Sequence, residues 1–265
     1  MIVDEAQDLT ATHVELLKAL DTSPDHRGFL VVGDGQQSIY PGGFSLRSVE
    51  LDVRGRSFVL RTNWRNTQRI AEAAVKVLGH QDVRDLEADA GVARDDAPPR
   101  RLGDAPELHL VSSSSASDAL LADLLTEALS DLRPEDIAIL ARTRKVGQSR
   151  AEQVSRSLGL DVVRLTDLPR QLDGAPGKLR VGTFEYSKGL EFKLVVLVGP
   201  ARRDWSVPPY WLSEKDDQVD WWRTERRKLF VAITRARDRL AVIATEPLAA
   251  MLEDSRDRFA VWDWA

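Results

Sequence analysis

The sequence predicts an α/β fold in which a parallel sheet is flanked by helices. Short β-branched runs bounded by turn residues alternate with amphipathic stretches along the chain, the pattern that parallel α/β layers produce. The longest apolar stretches, such as Leu194 to Val198, are strand-sized. With 265 residues, 43% of them hydrophobic and 30% charged, there is enough apolar material for one large or two small packed domains.

Met1 to Val3, Ala11 to Leu20 and Phe29 to Val32 read as strand, helix and strand. Between Thr67 and Leu78 the apolar residues Ile70, Ala74, Val77 and Leu78 keep helical spacing, with Thr67 as N-cap. Gln81 to Pro106, rich in Asp, Arg, Ala, Gly and Pro and centred on Pro98-Pro99, reads as an exposed connector without chemistry. Leu108 to Val111 and Ile137 to Ala141 read as buried strands flanking a helix over Ser117 to Leu129, and a helix over Arg150 to Leu158 leads to Val162 to Leu165. The second half closes with strands Leu179 to Val181 and Leu194 to Val198, a helix over Glu225 to Ala236 and strand Leu240 to Ala244.

Composition excludes several functions. The chain has no cysteine, so disulfides and thiolate metal sites are ruled out and nothing argues for secretion. A cytoplasmic location with no membrane partner is the resulting expectation, since Met1 opens directly onto a strand pattern and no run is long enough to span a bilayer. The net charge of −5 gives no global basic footprint, so any nucleic-acid contact has to be local and built from clustered arginines.

Five segments carry candidate chemistry. Ile2-Val3-Asp4-Glu5-Ala6-Gln7-Asp8 sets two adjacent carboxylates just after a hydrophobic strand, where a parallel sheet presents side chains to a ligand. In phosphoryl transfer the first such acid holds Mg²⁺ and the second orients and deprotonates the attacking water, roles that suit Asp4 and Glu5. Acidic pairs after strands also occur as solvated turns. The loop Gly33-Asp34-Gly35-Gln36-Gln37-Ser38-Ile39-Tyr40 leaves a strand with a glutamine able to sense a phosphate or water without adding charge, or it is a plain polar βα loop.

Leu60-Arg61-Thr62-Asn63-Trp64-Arg65-Asn66-Thr67 puts an aromatic beside an arginine at a helix start: an exposed Trp64 can stack on a base and Arg65 can meet phosphate charge, whereas a buried Trp with a solvated Arg is the bland alternative. Val181 to Phe192 contains Ser187-Lys188-Gly189-Leu190-Glu191, in which Gly189 allows close backbone approach and Glu191 can accept from hydroxyls. Glu225 to Arg237 fixes one helix face to the core through Leu229, Phe230, Ile233 and Ala236, leaving Arg226, Arg227, Arg235 and Arg237 mostly elsewhere, on spacing alone a solvated basic face.

Taken in order, DEAQD, VGDGQQSIY, LRTNWRN, GTFEYSKGLEF and ERRKLFVAITRAR resemble motifs II to VI of the UvrD/Rep superfamily-one helicases, and together they span Met1 to about Leu240. The resemblance implies two RecA-like (P-loop NTPase) domains, with residues 1–60 the end of the first and 61–265 the second. It also implies ATP hydrolysis in the cleft between them, coupled to movement on single-stranded DNA. By that resemblance Asp4 binds Mg²⁺, Glu5 is the catalytic base and Gln37 contacts the γ-phosphate or attacking water. Trp64 stacks on adenine and is therefore expected to be exposed. Arg65 and Arg235 are arginine fingers, Gly189 and Glu191 touch triphosphate and ribose, and Tyr40, Phe44 and Thr183 couple the cleft to DNA.

Three departures qualify the resemblance. No G-x-x-x-x-G-K-[ST] run appears, so the phosphate cradle and its lysine are missing. The chain alone is thus expected not to turn over ATP, as a shortened chain, a mis-assigned start or a split gene whose N-terminal motor segment is supplied in cis or in trans. Only Thr166 to Lys178 stands where relatives insert a large subdomain, so that accessory subdomain is expected to be absent. Glu185 replaces a frequent His, and Pro41-Gly42-Gly43-Phe44 replaces a base-contacting Trp-Arg-Gly. The rival readings are a non-catalytic nucleic-acid or protein interaction module and one half of a split ATPase.

Overall fold

Strands separated by helix-length stretches pair in parallel, because each return to the same edge of the sheet needs a crossover. The computed structural model describes residues 1–23, 28–39, 46–53, 56–58, 60, 62–79, 101–166, 176–200, 208, 212 and 214–264. Its elements run β1 (Ile2–Val3), α1 (Ala11–Leu20), β2 (Leu30–Val31), α2 (Gln68–Leu78), β3 (Glu107–Val111), α3 (Ser114–Ala128), β4 (Ile137–Ala141), α4 (Arg144–Leu158) and β5 (Val162–Arg164). They continue with β6 (Leu179–Thr183), β7 (Phe192–Val198), α5 (Lys215–Thr234), β8 (Ala236–Thr245), α6 (Ala250–Glu253) and β9 (Ala260–Trp264). β1 and β2 form a small parallel sheet; the other strands form a seven-stranded parallel sheet in the order β5-β6-β4-β7-β8-β3-β9.

Because side chains alternate along a strand, the near-continuous apolar run of β7 feeds two core layers at once. Val195 and Leu197 join Leu108, Leu140 and Val242 under α2 and α5, whose Ile70, Val77, Leu229, Phe230 and Ile233 close that layer. Leu194, Val196 and Val198 join Ile137, Ile139 and Ile243 under α3 and α4, through Leu121, Leu125 and Val154. A separate cluster of Val14, Leu46, Val49 and Leu51 holds α1.

Helix boundaries follow local chemistry. Thr10 and His13 form a reciprocal cap on α1, and the Thr67 hydroxyl caps α2 through the Ile70 N–H, as expected from its position. α4 begins six residues before the expected Arg150, because Thr143 caps it through Val146 N–H and Gly147 packs close to β6. α5 begins at Lys215 rather than Glu225, its extra turns packing Trp221 and Trp222 onto the core, and it ends at Thr234, so that Arg235 caps it and Ala236 already opens β8. The expected helix end at Ala236 and strand start at Leu240 are corrected accordingly. α6 and β9 were not anticipated: β9 has four exposed residues of five and so lacks the alternation that marks a half-buried strand. Residues 81–100 of the expected connector lie outside the described residues, whereas 101–106 lead into β3 without regular secondary structure.

The chain ahead of α2 is tied to the α5–β8 junction by one buried side chain. Asn66 Nδ2 donates to the carbonyls of Thr234 (2.9 Å) and Ala236 (2.6 Å), while its Oδ1 accepts from Asn63 Nδ2 at 2.9 Å. Asn66→Ala removes a shared donor from two buried carbonyls, and the unfolding free energy measured in urea is expected to fall by about 2–4 kcal/mol. A loss below about 0.5 kcal/mol, as for an ordinary surface change, would show that this junction does not depend on Asn66.

Candidate functional site

The loops after β1 and β2 are stitched together before any other contact is made. Asp4 Oδ1 accepts from Glu5 N–H at 2.8 Å, and Glu5 holds a left-handed φ of 52°, an uncommon conformation outside glycine that turns its carboxylate out of the strand path. Buried Gln7 donates to Glu5 Oε2 and accepts from Asp34 N–H at 2.9 Å, so one side chain joins the acidic loop to the Gly33 to Gln37 loop. Gln37 sits in a single 3₁₀ turn, its Nε2 donating to Asp34 Oδ2 at 2.9 Å.

Arg235, at the end of α5, is 1% exposed, so the solvated basic face suggested by spacing is wrong for this residue. Its Nε donates to Val231 O (3.0 Å), Nη1 to Leu190 O (3.1 Å), and Nη2 to Gln37 Oε1 (3.1 Å) and Thr234 Oγ1 (3.1 Å). Three segments remote in sequence thus meet on one guanidinium. Burial pushes its pKa down to about 10, the nearby Arg65 adds like-charge repulsion, and Glu5, Asp34 and Glu191 work in the opposite direction. It stays charged at neutral pH.

Arg65 reaches the same region from the start of α2, its Nε paired with Glu191 Oε2 at 3.0 Å. The neighbouring Trp64 is 62% exposed, as a base-stacking role requires. Gly189 has φ +78° and open space around its Cα, so its backbone is accessible to a ligand. Glu5, Gln37, Arg65, Glu191 and Arg235 are thereby brought into one charged neighbourhood, with Asp4, Trp64 and Gly189 beside them in sequence.

Lys188, read only as part of a Lys-Gly turn, crosses that cleft. Its Nζ is 2.6 Å from Asp8 Oδ1, 3.5 Å from Glu5 Oε2 and 2.8 Å from Gln37 O, with the side chain 7% exposed. Burial raises the pKa of Asp8, and the Lys188 contact pulls it part of the way back. The charge of Glu185, noted as a departure from the family pattern, is met by Lys228 at 2.6 Å, which also pairs with buried Glu225 at 3.0 Å; Glu225 in turn accepts from Arg142 at 2.6 Å. Thr183 is buried, and its hydroxyl accepts from Tyr186 N–H at 3.4 Å. Tyr40 and Phe44 lie outside the described residues.

Chemically, the cleft offers two arginines, a lysine and an amide to a polyanion, and adjacent carboxylates to a divalent cation or a proton. Among the described residues no group of three or more His, Cys, Asp or Glu is placed to hold a metal ion by itself. A Mg²⁺ at Asp4 therefore fits only as magnesium is ordinarily held beside phosphates, by one or two carboxylates with waters and phosphate oxygens completing the shell.

The Arg235 to Gln37 contact makes a distinct stability prediction. Arg235→Ala strands Gln37 Oε1 and Leu190 O and opens a cavity, so the unfolding free energy is expected to fall by about 2–4 kcal/mol. Combined with Gln37→Ala, the double variant is expected to deviate from additivity by about 0.5–3 kcal/mol, and strict additivity in urea denaturation would contradict a direct coupling.

Residues 162–247 match the family model of the UvrD-like helicase C-terminal domain, and residues 1–44 that of the UvrD/REP helicase N-terminal domain. No curated protein matches the chain. Among solved structures the chain is similar to the C-terminal domain of a possible DNA helicase from Lactobacillus plantarum WCFS1, with 17% identity and a TM-score of 0.53 over 75% of this chain and 98% of that one. That likeness speaks for the fold, a RecA-like parallel sheet flanked by helices. The two matched segments, which meet at the Arg235 to Gln37 contact, are each similar to UvrD-like helicases.

Proposed function

We propose that residues 61–265 form the second motor domain, and residues 1–60 the nucleotide-facing end of the first, of an ATP-dependent helicase or translocase that steps along single-stranded DNA. The observation that carries this reading is the buried Arg235, aimed from the end of α5 at Gln37 with its charge retained. A buried cation held by carbonyls and amides, with a second arginine nearby, is suited to charge that develops on a transferring phosphoryl group.

In this reading ATP with Mg²⁺ supplies the scissile phosphoanhydride, and each residue has a defined task. Asp4 holds the metal, through water. Glu5 takes the proton of the attacking water, which requires Lys188 to give up its 3.5 Å contact. Gln37 exchanges its Arg235 contact for the γ-phosphate or that water. Arg65 leaves Glu191 to meet phosphate charge, freeing Glu191 for the ribose, and Gly189 brings its backbone against the triphosphate. Trp64 stacks on adenine. Tyr40, Phe44 and Thr183 are the proposed couplers to DNA, Thr183 acting through the turn it caps because its side chain is buried.

The 265 residues contain no glycine-rich Lys-Ser/Thr loop, so the phosphate cradle has to come from another segment, in cis or in trans. The two-stranded β1–β2 sheet supports such a completion: Ile2 is 75% exposed, and Leu30, Val32, Leu16 and Leu20 are also exposed, an apolar surface of the kind covered by further strands and helices. The 14 residues between Arg164 and Leu179 are too few for an accessory subdomain, which supports its absence from this chain.

The chain alone is expected to release no phosphate from Mg-ATP with saturating single-stranded DNA, and turnover near the roughly 1–100 s⁻¹ of working phosphotransferases would contradict the reading. In a chain completed by its phosphate-binding segment, Trp64→Ala is expected to weaken adenine-nucleotide binding by about 1–3 kcal/mol while changing stability by less than about 0.5 kcal/mol. Unchanged nucleotide affinity in a titration would remove Trp64 from the adenine site.

A further inference from the structure

At the edge of the large sheet farthest in strand order from β5, β9 carries Trp262 and Trp264 two residues apart, so both indoles project to one face. That face also bears His109 of β3, stacked against both rings at centroid distances of 6.5 and 6.0 Å. The indole N–H of Trp264 donates to His109 Nδ1 at 3.0 Å, which leaves Nε2 as the protonated nitrogen, and Nε2 donates to Glu107 Oε2 at 2.8 Å. His109 is buried, so this chain of contacts sets the Trp264 ring in place and holds Glu107 below the usual carboxylate range.

Parallel sheets are normally covered by helices on both faces. α3 packs over β3 and β8, yet Trp262 and Trp264 remain 53% and 50% exposed. Beside α3 lies an open groove of about 500 Å³, floored by His109 and walled by Leu120, Leu124 and the two indoles. Its rim is acidic: Asp123 and Glu127, one turn apart on α3, and Glu107 on β3. Among the described residues one guanidinium, Arg239, answers them, 3.3 Å from Glu127 and 4.0 Å from Glu107, so the described groove keeps a carboxylate excess. An apolar floor with an unbalanced acidic rim along a helix is the complement of an amphipathic helix with a basic flank.

We propose that this groove docks a basic amphipathic helix of a partner protein, lying beside α3 with its apolar face on Trp262, Trp264 and Leu120 and its Lys or Arg side chains on Asp123, Glu127 and Glu107. The site lies outside the nucleotide cleft and does not depend on any role assigned there. The indoles supply flat apolar area and accept cationic side chains on their faces.

The test uses a Lys/Leu amphipathic peptide about 18 residues long, enough for helix formation on the surface, and its Glu/Leu counterpart with the same apolar face. Binding is followed by calorimetry and by the Trp262 and Trp264 indole N–H resonances. The Lys/Leu peptide is expected to bind one to one and shift those resonances, with the Glu/Leu peptide at least about tenfold weaker. D123K/E127K is expected to cut Lys/Leu affinity by about tenfold or more, whereas D161K/D216K, the same charge change away from the groove, leaves it within about twofold. Equal binding of the two peptides, equal losses in the two double variants, or shifts confined to other resonances overturns the proposal. So does concentration-dependent dimerisation abolished by W264A, which assigns the face to a second copy of this chain.

Discussion

One buried guanidinium organises the cleft. Placing Arg235 at 1% exposure carries a desolvation cost that only a near-complete set of acceptors offsets, and Val231, Leu190, Thr234 and Gln37 supply it from three stretches of chain. Its position depends in turn on the α5–β8 junction, where the helix ends one residue earlier and Asn66 ties down the carbonyls on either side. The two-stranded sheet and the seven-stranded sheet communicate through these contacts and through Lys188.

The same arrangement indicates what has to change when a polyanion enters. Cations and anions of the cleft are presently paired with one another: Arg65 with Glu191, Lys188 with Asp8 and Glu5, and Arg235 with the Gln37 amide. The proposed mechanism uses Arg65, Glu191, Glu5, Gln37 and Arg235 separately. In the proposed mechanism ligand binding is therefore an exchange of partners among fixed groups, with little new charge to bury. The Glu185 substitution illustrates the compensation such a site needs, since Lys228, Glu225 and Arg142 absorb its charge within one connected network.

Much of the fold was legible because it rests on local signals. α1 matches its expected span, α2 starts after the hydroxyl cap expected at Thr67, and the apolar runs at Ile137 and Leu194 are strands of a sheet buried on both faces. The misses have physical reasons. The polar first turns of α4 show no apolar stripe before Ala151, and β9 exposes the residues that ordinarily mark a strand by being buried. For the site, the motif strings singled out candidate residues, but the contact of Lys188 with Asp8 spans 180 positions and no spacing rule could reveal it. Spacing misplaces Arg235 for a local reason: helical periodicity describes a helix surface and breaks down at the residue where α5 gives way to β8.

The central claim is that the Arg235 guanidinium is held in readiness for a phosphate. It is tested most directly by nitrogen-15 arginine side-chain spectra of this chain completed by its phosphate-binding segment, with the Arg235 signal assigned by its loss in Arg235→Lys. Addition of a nucleoside triphosphate is expected to shift the Arg235 resonance as Gln37 gives way to a phosphate oxygen, while the monophosphate, which lacks the γ-phosphoryl group, leaves it in place. A triphosphate that perturbs other signals yet leaves Arg235 unmoved at saturation would contradict the account.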